Sequence, residues 1–228
     1  MMTGSRPRME VRLDPAGRME LGVIGEPAGH GAAVDFRRVS LAGISSQPLV
    51  RACGEPGQLL DATAGLGGDS WILAAAGFLV TAVERSPLVA AVLRDGIARA
   101  RADGRLATIA NRIELHVGES AAMLAASGTP WTAIYLDPMY PPKTKSALAP
   151  KPIRLVRDAV GDDLDARDLF LAAVAANPGR IVVKRPHHAA VVHPEPDLTF
   201  ESKLARYDAY LRSGSSLRTL RPSPEKSL

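Results

Sequence analysis

LLDATAGLGGD, residues 59–69, is an apolar run that stops at Asp61 and gives way to Gly65, Gly67 and Gly68. A buried strand that ends in this way is turning tightly around a nucleotide-like ligand, because glycines let the backbone approach without a Cβ. Glycines also serve ordinary turns and strand–helix packing, so the loop needs support from elsewhere in the chain. A second strand end, AIYLDPMYPPK at 133–143, supplies it: the apolar run stops at Asp137-Pro138-Met139-Tyr140, an acid, a rigid kink and an aromatic face.

Outward from residue 58 the pattern is strand, turn, helix. Strands are predicted at 58–61, 79–84, 113–117 and 133–136, with helices at about 69–76, 87–102 and 120–126 between them. A charged, Pro-rich connection follows, then a helix at about 166–176, a strand at 180–184 and an edge strand near 206–211. This alternation predicts an α/β fold, a mostly parallel sheet with helices on both faces and right-handed crossovers. Residues 1–57 read as a small β-rich N-terminal appendage. In it MEVRLD and RMELGVIG flank Asp14-Pro15-Ala16-Gly17 as a hairpin, a strand is expected at 32–36 and a short helix at 47–52. The Ser-, Pro- and Arg-rich segment from Arg212 to 228 reads as unstructured.

The chain has 228 residues, 46% of them hydrophobic, enough for one good core. A formal charge of +4 permits a polyanionic partner without requiring one. The single cysteine, Cys53, rules out a disulfide framework and reads as a small buried hydrophobe. The first residues lack a secretion signal's apolar core, and no apolar run approaches the ~18 residues of a membrane span, so a cytoplasmic protein is expected. His187, His188 and His193 lack metal-ligand spacing, so no metal is expected.

The second strand ends at Glu84, about 20 residues past the glycine loop, where an acid accepts hydrogen bonds from ribose hydroxyls. Asp69 stands beside the loop where a pyrophosphate would need a helix amino end free of negative charge. It would repel NAD and attract the ammonium of an amino acid, which favours S-adenosylmethionine. Glu119 and Ser120, just past the third strand, are placed to meet the adenine or the ribose edge, or simply to start a helix. At the reactive end, Asp137 and the Pro138 carbonyl can accept the two hydrogens of an exocyclic amine, and Tyr140 can stack on its ring. An amine so held is positioned for displacement at a sulfonium methyl without a strong base. Lys143, Lys145 and Lys151 follow, and Lys184-Arg185 closes a later strand; these cations are candidates for nucleic-acid phosphates, or for plain solubility.

From about Gly57 to Tyr210 the chain resembles the small-subunit ribosomal RNA guanine-N2 methyltransferase J family. LDATAGLGGD, AVERSPLVAAVL, YLDPMYPPKTKSAL, VGDDLDARDLF and IVVKRP carry the likeness in that order. Upstream it thins to Val34-Asp35-Phe36-Arg37-Arg38. The resemblance implies a class I S-adenosylmethionine-dependent methyltransferase, Rossmann-like over residues 58–211, that methylates a guanine of 16S RNA. It places cofactor contacts on Gly68, Asp69, Glu84, Arg85, Glu119, Ser120 and Asp137, and makes ribosomal RNA or the small subunit the partner. Taken alone, the residues also suit an amino methyltransferase acting on adenine or on a protein glutamine. An NAD-dependent oxidoreductase fits poorly beside Asp69, and a non-catalytic RNA-binding module has no use for an acid-lined ribose site.

Overall fold

The computed structural model describes residues 6–139, 150–160, 166–187, 189–192, 195–213 and 216–217. It opens with a meander of β1 (Met9–Leu13), β2 (Met19–Val23) and β3 (Ala32–Ala33). The turn between β1 and β2 forms because Asp14 Oδ1 accepts from the backbone N–H of Ala16 and Arg18, each at 2.9 Å, and Gly17 takes φ +76°. The strand expected through Phe36 stops at Ala33. Phe36 instead begins a 3₁₀ turn, capped by Asp35, and stacks on Trp71 with centroids 4.3 Å apart and planes at 10°.

The α/β part contains α1 (Pro48–Cys53), β4 (Gln58–Asp61), α2 (Gly68–Ala75), β5 (Leu79–Glu84), α3 (Pro87–Ala102), α4 (Ala107–Ala110) and β6 (Ile113–Val117). There follow α5 (Ser120–Ala126), β7 (Ala133–Leu136), α6 (Lys151–Val160), α7 (Ala166–Ala175), β8 (Arg180–Arg185), β9 (Leu198–Glu201), β10 (Arg206–Ser213) and β11 (Ser216–Leu217). The sheet runs β6-β5-β4-β7-β8 in parallel and continues into antiparallel β10. Every strand expected from residue 58 onward is present, but the strand expected at the edge is not one: β10 pairs with β8 and also with β9 and β11. Arg212 and Ser213 extend β10, where an unstructured segment was expected to begin. The charged connection contains α6, whose Leu155 and Val156 are buried.

Alternation along the strands feeds two cores. Leu59, Ala82, Tyr135 and Val182 pack on one face with Trp71, Val89 and Cys53, while Leu60, Val83, Ile134 and Val183 pack on the other with Leu124 and Phe170. Each fully buried aliphatic side chain contributes on the order of 1.5–3 kcal/mol. The first core also takes in Leu21, Val34 and Phe36, so it runs without a break from the meander into the sheet. A Cβ on Gly96 would lie 2.3 Å from Val34 Cγ1, which explains glycine inside α3 at that crossing. Among the described residues no helix is long and apolar enough to cross a membrane.

Because β5 flanks β4 on one side and β7 on the other, the strand order reverses at β4, and the crevice of that switch opens at its carboxyl end. Open parallel sheets bind ligands at such a point. The loops after β4, β5, β7 and β8 all open there.

Candidate active site

The loop after β4 is shaped by one carboxylate. Glu84, buried at the end of β5, accepts from Gly65 N at 2.9 Å through Oε2 and from Ser86 N at 2.7 Å through Oε1. Gly65 adopts φ +54°, a conformation that suits glycine, and the bend brings its N–H onto the acid. Beside it, Ser120 Oγ donates to Ala62 O at 2.6 Å and ties the start of α5 to the loop. Glu84, Arg85, Glu119 and Ser120 line a cleft of ≈ 680 Å³ whose apolar wall includes Val83, Val156 and Leu169.

Gly67, φ +76°, begins α2 with its Cα turned to the core, where a Cβ would meet Leu93 Cδ1 at 2.5 Å; it serves packing and lines neither cleft. At Gly68 a Cβ would meet nothing within 4 Å. Asp61 is buried, accepting from Ser70 Oγ and from Thr63 N at 3.2 Å. Burial pushes its carboxyl up to about 7; the Ser70 hydrogen bond opposes the rise, and the charges of Asp69 and Asp137 add to it.

A second cleft, of ≈ 1220 Å³, opens beside the first after β7 and β8. Asp137 N donates to Thr63 Oγ1 at 2.6 Å, which ties this loop to the one after β4. Lys184 Nζ lies 2.8 Å from Asp69 Oδ2 and 2.9 Å from Asp137 Oδ2, and Tyr135 Oη donates to the same Asp69 oxygen at 2.6 Å. Burial works against the Lys184 charge, but Asp137 and Asp69 outweigh it and hold the ammonium well above its ordinary range. Tyr207 stands opposite Lys184 in the β8–β10 register; burial, then the charge of Asp69, pushes its phenol up to about 12. Thr63, Gly65, Asp137 and Met139 line both clefts.

The structure thus gathers Glu84, Arg85, Glu119 and Ser120 at one cleft, Asp61, Gly68, Asp69 and Pro138 at the other, and Gly65 and Asp137 at both. Two residues expected at phosphates, Lys184 and Arg185, line the second cleft and are engaged within the protein. Lys184 bridges two carboxylates, and Arg185, buried, donates to Ala190 O. Lys151 pairs with Glu26 at 3.2 Å. Tyr140, Lys143, Lys145, His188 and His193 lie outside the described residues. Sequence reasoning passed over Thr63 and Tyr135. The signal for Tyr135 was its position two residues before Asp137 on a strand, which points both side chains to one face.

A family model described as that of a SAM-dependent methyltransferase matches residues 14–212. Ribosomal RNA small subunit methyltransferase J of Pseudomonas aeruginosa is 48% identical over 179 residues, 76% of this chain and 69% of that protein. Its counterpart in Pseudomonas syringae pv. tomato is 41% identical over 199 residues, 85% and 74% of the two chains. The chain belongs to this methyltransferase family. The crystal structure of a SAM-dependent methyltransferase from Neisseria gonorrhoeae superposes with a TM-score of 0.65 at 31% identity, covering 87% of this chain and 80% of that one.

The methyltransferase's donor set fits S-adenosylmethionine. Glu84 offers the first cleft a carboxylate for a ribose, and its apolar wall suits a flat base. Open space at Gly68 leaves room beside the backbone at the start of α2. Asp69 and Asp137 line the second cleft with Gly68, and carboxylates there suit a cationic ligand better than the phosphates of a dinucleotide. When bound, S-adenosylmethionine supplies a methyl group made electrophilic by its sulfonium.

Proposed function

We propose that this methyltransferase methylates the exocyclic amine of a guanine in small-subunit ribosomal RNA, in the cytoplasm. The observation that carries the reading is the position of Asp137, which lines both clefts, so an acceptor amine held in the second faces whatever occupies the first. Asp137 and the Pro138 carbonyl accept the two amine hydrogens and aim the nitrogen lone pair across the junction. The proton leaves only from the methylated, positively charged product, so Asp137 holds a hydrogen bond and no strong base is needed before attack. Tyr140 stacks on the target ring, and Lys143 and Lys145 meet phosphates of the flanking strand. Family membership among proteins named for small-subunit ribosomal RNA supports the substrate class.

The test is methyl transfer to small subunits, and to their naked RNA, from a strain lacking the gene, followed by nucleoside analysis. N2-methylguanosine is expected, with Asp137→Ala reducing turnover by at least about 100-fold, the scale of removing one positioned group from a reacting centre. N6-methyladenosine, or methylation of a protein amide in place of RNA, would overturn the guanine assignment.

A further inference from the structure

Lys184 enters a site whose reaction calls for acceptors, and it touches two of them at once. Its ammonium bridges Asp69 Oδ2 at 2.8 Å and Asp137 Oδ2 at 2.9 Å, and it stands on β8, a central strand, whereas Asp137 stands on the loop just past β7. The two strands are in register, Leu136 beside Val183, so Lys184 and Asp137 are the next residues on adjacent chains. We propose that Lys184 is a positioning residue for methyl transfer, fixing the Asp137 carboxylate ionised and oriented at the junction of the clefts. This assignment rests on the role given above to Asp137.

Without the ammonium, Asp69 and Asp137 would be two carboxylates in one half-buried space, and one of them would take up a proton at higher pH than an ordinary aspartate. A protonated Asp137 offers a donor where the target amine needs an acceptor. The charged and titratable groups around this pair come from several elements. Tyr135 from β7 donates to Asp69 and is held protonated by burial, Tyr207 from β10 is neutral below about 12, and Asp61 beneath, pushed up to about 7 by burial, adds negative charge only above that. Arg157 of α6 lines the same cleft, and Arg185, next in sequence, donates to Ala190 O. Cys53, buried below, has its thiol pushed up by desolvation and stays neutral.

The experiment compares wild type with Lys184→Met and Lys184→Arg in the full chain. The readouts are S-adenosylhomocysteine affinity by calorimetry, kcat and KM for small-subunit RNA from pH 5.5 to 9, and the dependence of RNA binding on salt. Lys184→Met is expected to move the acid limb of the kcat profile up by about one pH unit or more, to lower kcat on that limb by about 10-fold for each unit of the move, and to regain activity as pH rises. RNA KM and the salt slope should stay as in wild type, cofactor affinity should change less than about threefold, and Lys184→Arg should restore the wild-type acid limb. An unmoved acid limb in the Met variant would overturn the proposal. So would a loss confined to RNA KM with a flatter salt slope, which would make Lys184 a phosphate contact.

Carboxylate titration in ¹³C-aspartate-labelled protein, followed by NMR, separates this idea from the substrate assignment because it needs no RNA. One additional carboxyl should titrate upward in Lys184→Met even if wild type methylates something other than guanine, and its absence would sink the proposal. Lys184→Gln, which keeps hydrogen-bonding capacity without charge, takes the place of the Met variant if that one fails to fold. The same upward shift is expected of it, and a wild-type titration curve would overturn the proposal there as well.

Discussion

The two clefts are built by different physics. The cofactor cleft is a short-range device: Glu84 gathers two backbone N–H groups, one 19 residues away in sequence and one two residues away, and shapes the loop around itself. The acceptor cleft is held by side-chain charge between distant segments, Lys184 reaching Asp137 at 47 residues and Asp69 at 115. Backbone donors on a carboxylate set a shape that tolerates little change, whereas an ammonium between two acids sets a protonation state. On the roles proposed above, the first region answers to geometry and the second to pH.

The largest expected effect that would sharpen this contrast is at Glu84. Glu84→Ala removes the ribose acceptor together with the anchor of Gly65 and Ser86, and S-adenosylhomocysteine affinity should fall by an amount on the order of 1–3 kcal/mol, that of hydrogen bonds to a charged group. The loss should be the same at pH 6 and pH 8. Calorimetry showing wild-type affinity in a folded variant would remove Glu84 from the site, and a strongly pH-dependent loss would erase the contrast.

A smaller effect is expected at Thr63, whose hydroxyl oxygen accepts from Asp137 N and joins the two regions. Thr63→Val keeps the shape and leaves that N–H without this acceptor in a part-exposed loop, at a cost of about 1 kcal/mol in stability. Turnover should drop several-fold with cofactor affinity little altered, and Thr63→Ser should retain wild-type values. Equal turnover in the Val and Ser variants would show that the loops hold their places without the link.

The last effect is on stability, not on the chemistry of either cleft, and it is a slope. An unfolded aspartate loses its proton near 3.8, but Asp61 in the fold keeps it to about 7, chiefly because it is buried. Between those values the native state binds the extra proton, so this group's contribution to stability declines as pH rises, by at most about 1.4 kcal/mol per unit, and is flat above about 7. Chemical denaturation at pH 5, 6 and 7 should show that component in wild type and not in Asp61→Asn. Parallel curves for the two proteins would mean that Asp61 is ionised in the fold and that the negative field beneath the acceptor cleft is weaker than described.

This contrast also explains what could be read from the chain beforehand. Strand ends, the glycine turn and Glu84 are local patterns, and each expected element from β4 to β8 is present within a residue or two. The two cations of VVKRP read as phosphate ligands because sequence shows their charge and not their neighbours; only the pairing of β7 with β8 brings Lys184 to Asp137. Helix α6 was hidden by its charges and by Pro152, although Ile153, Val156 and Val160 recur at helical spacing. Strand β9, LTFE, is only four residues long and largely exposed, with neither alternation nor a turn signal strong enough to mark it.

The stack of Phe36 on Trp71 makes the meander depend on the sheet layer for its burial. The meander precedes α2 and α3 in the chain, and a lone ribbon of this size is marginal in water. Its inward residues, Leu21, Val34 and Phe36, share a core with α2 and α3, so they acquire partners only after Trp71 and Leu93 have been made. The meander thus completes its burial only against α2 and α3, and Gly67 of the glycine loop is packed from both sides, by Phe36 and by Leu93.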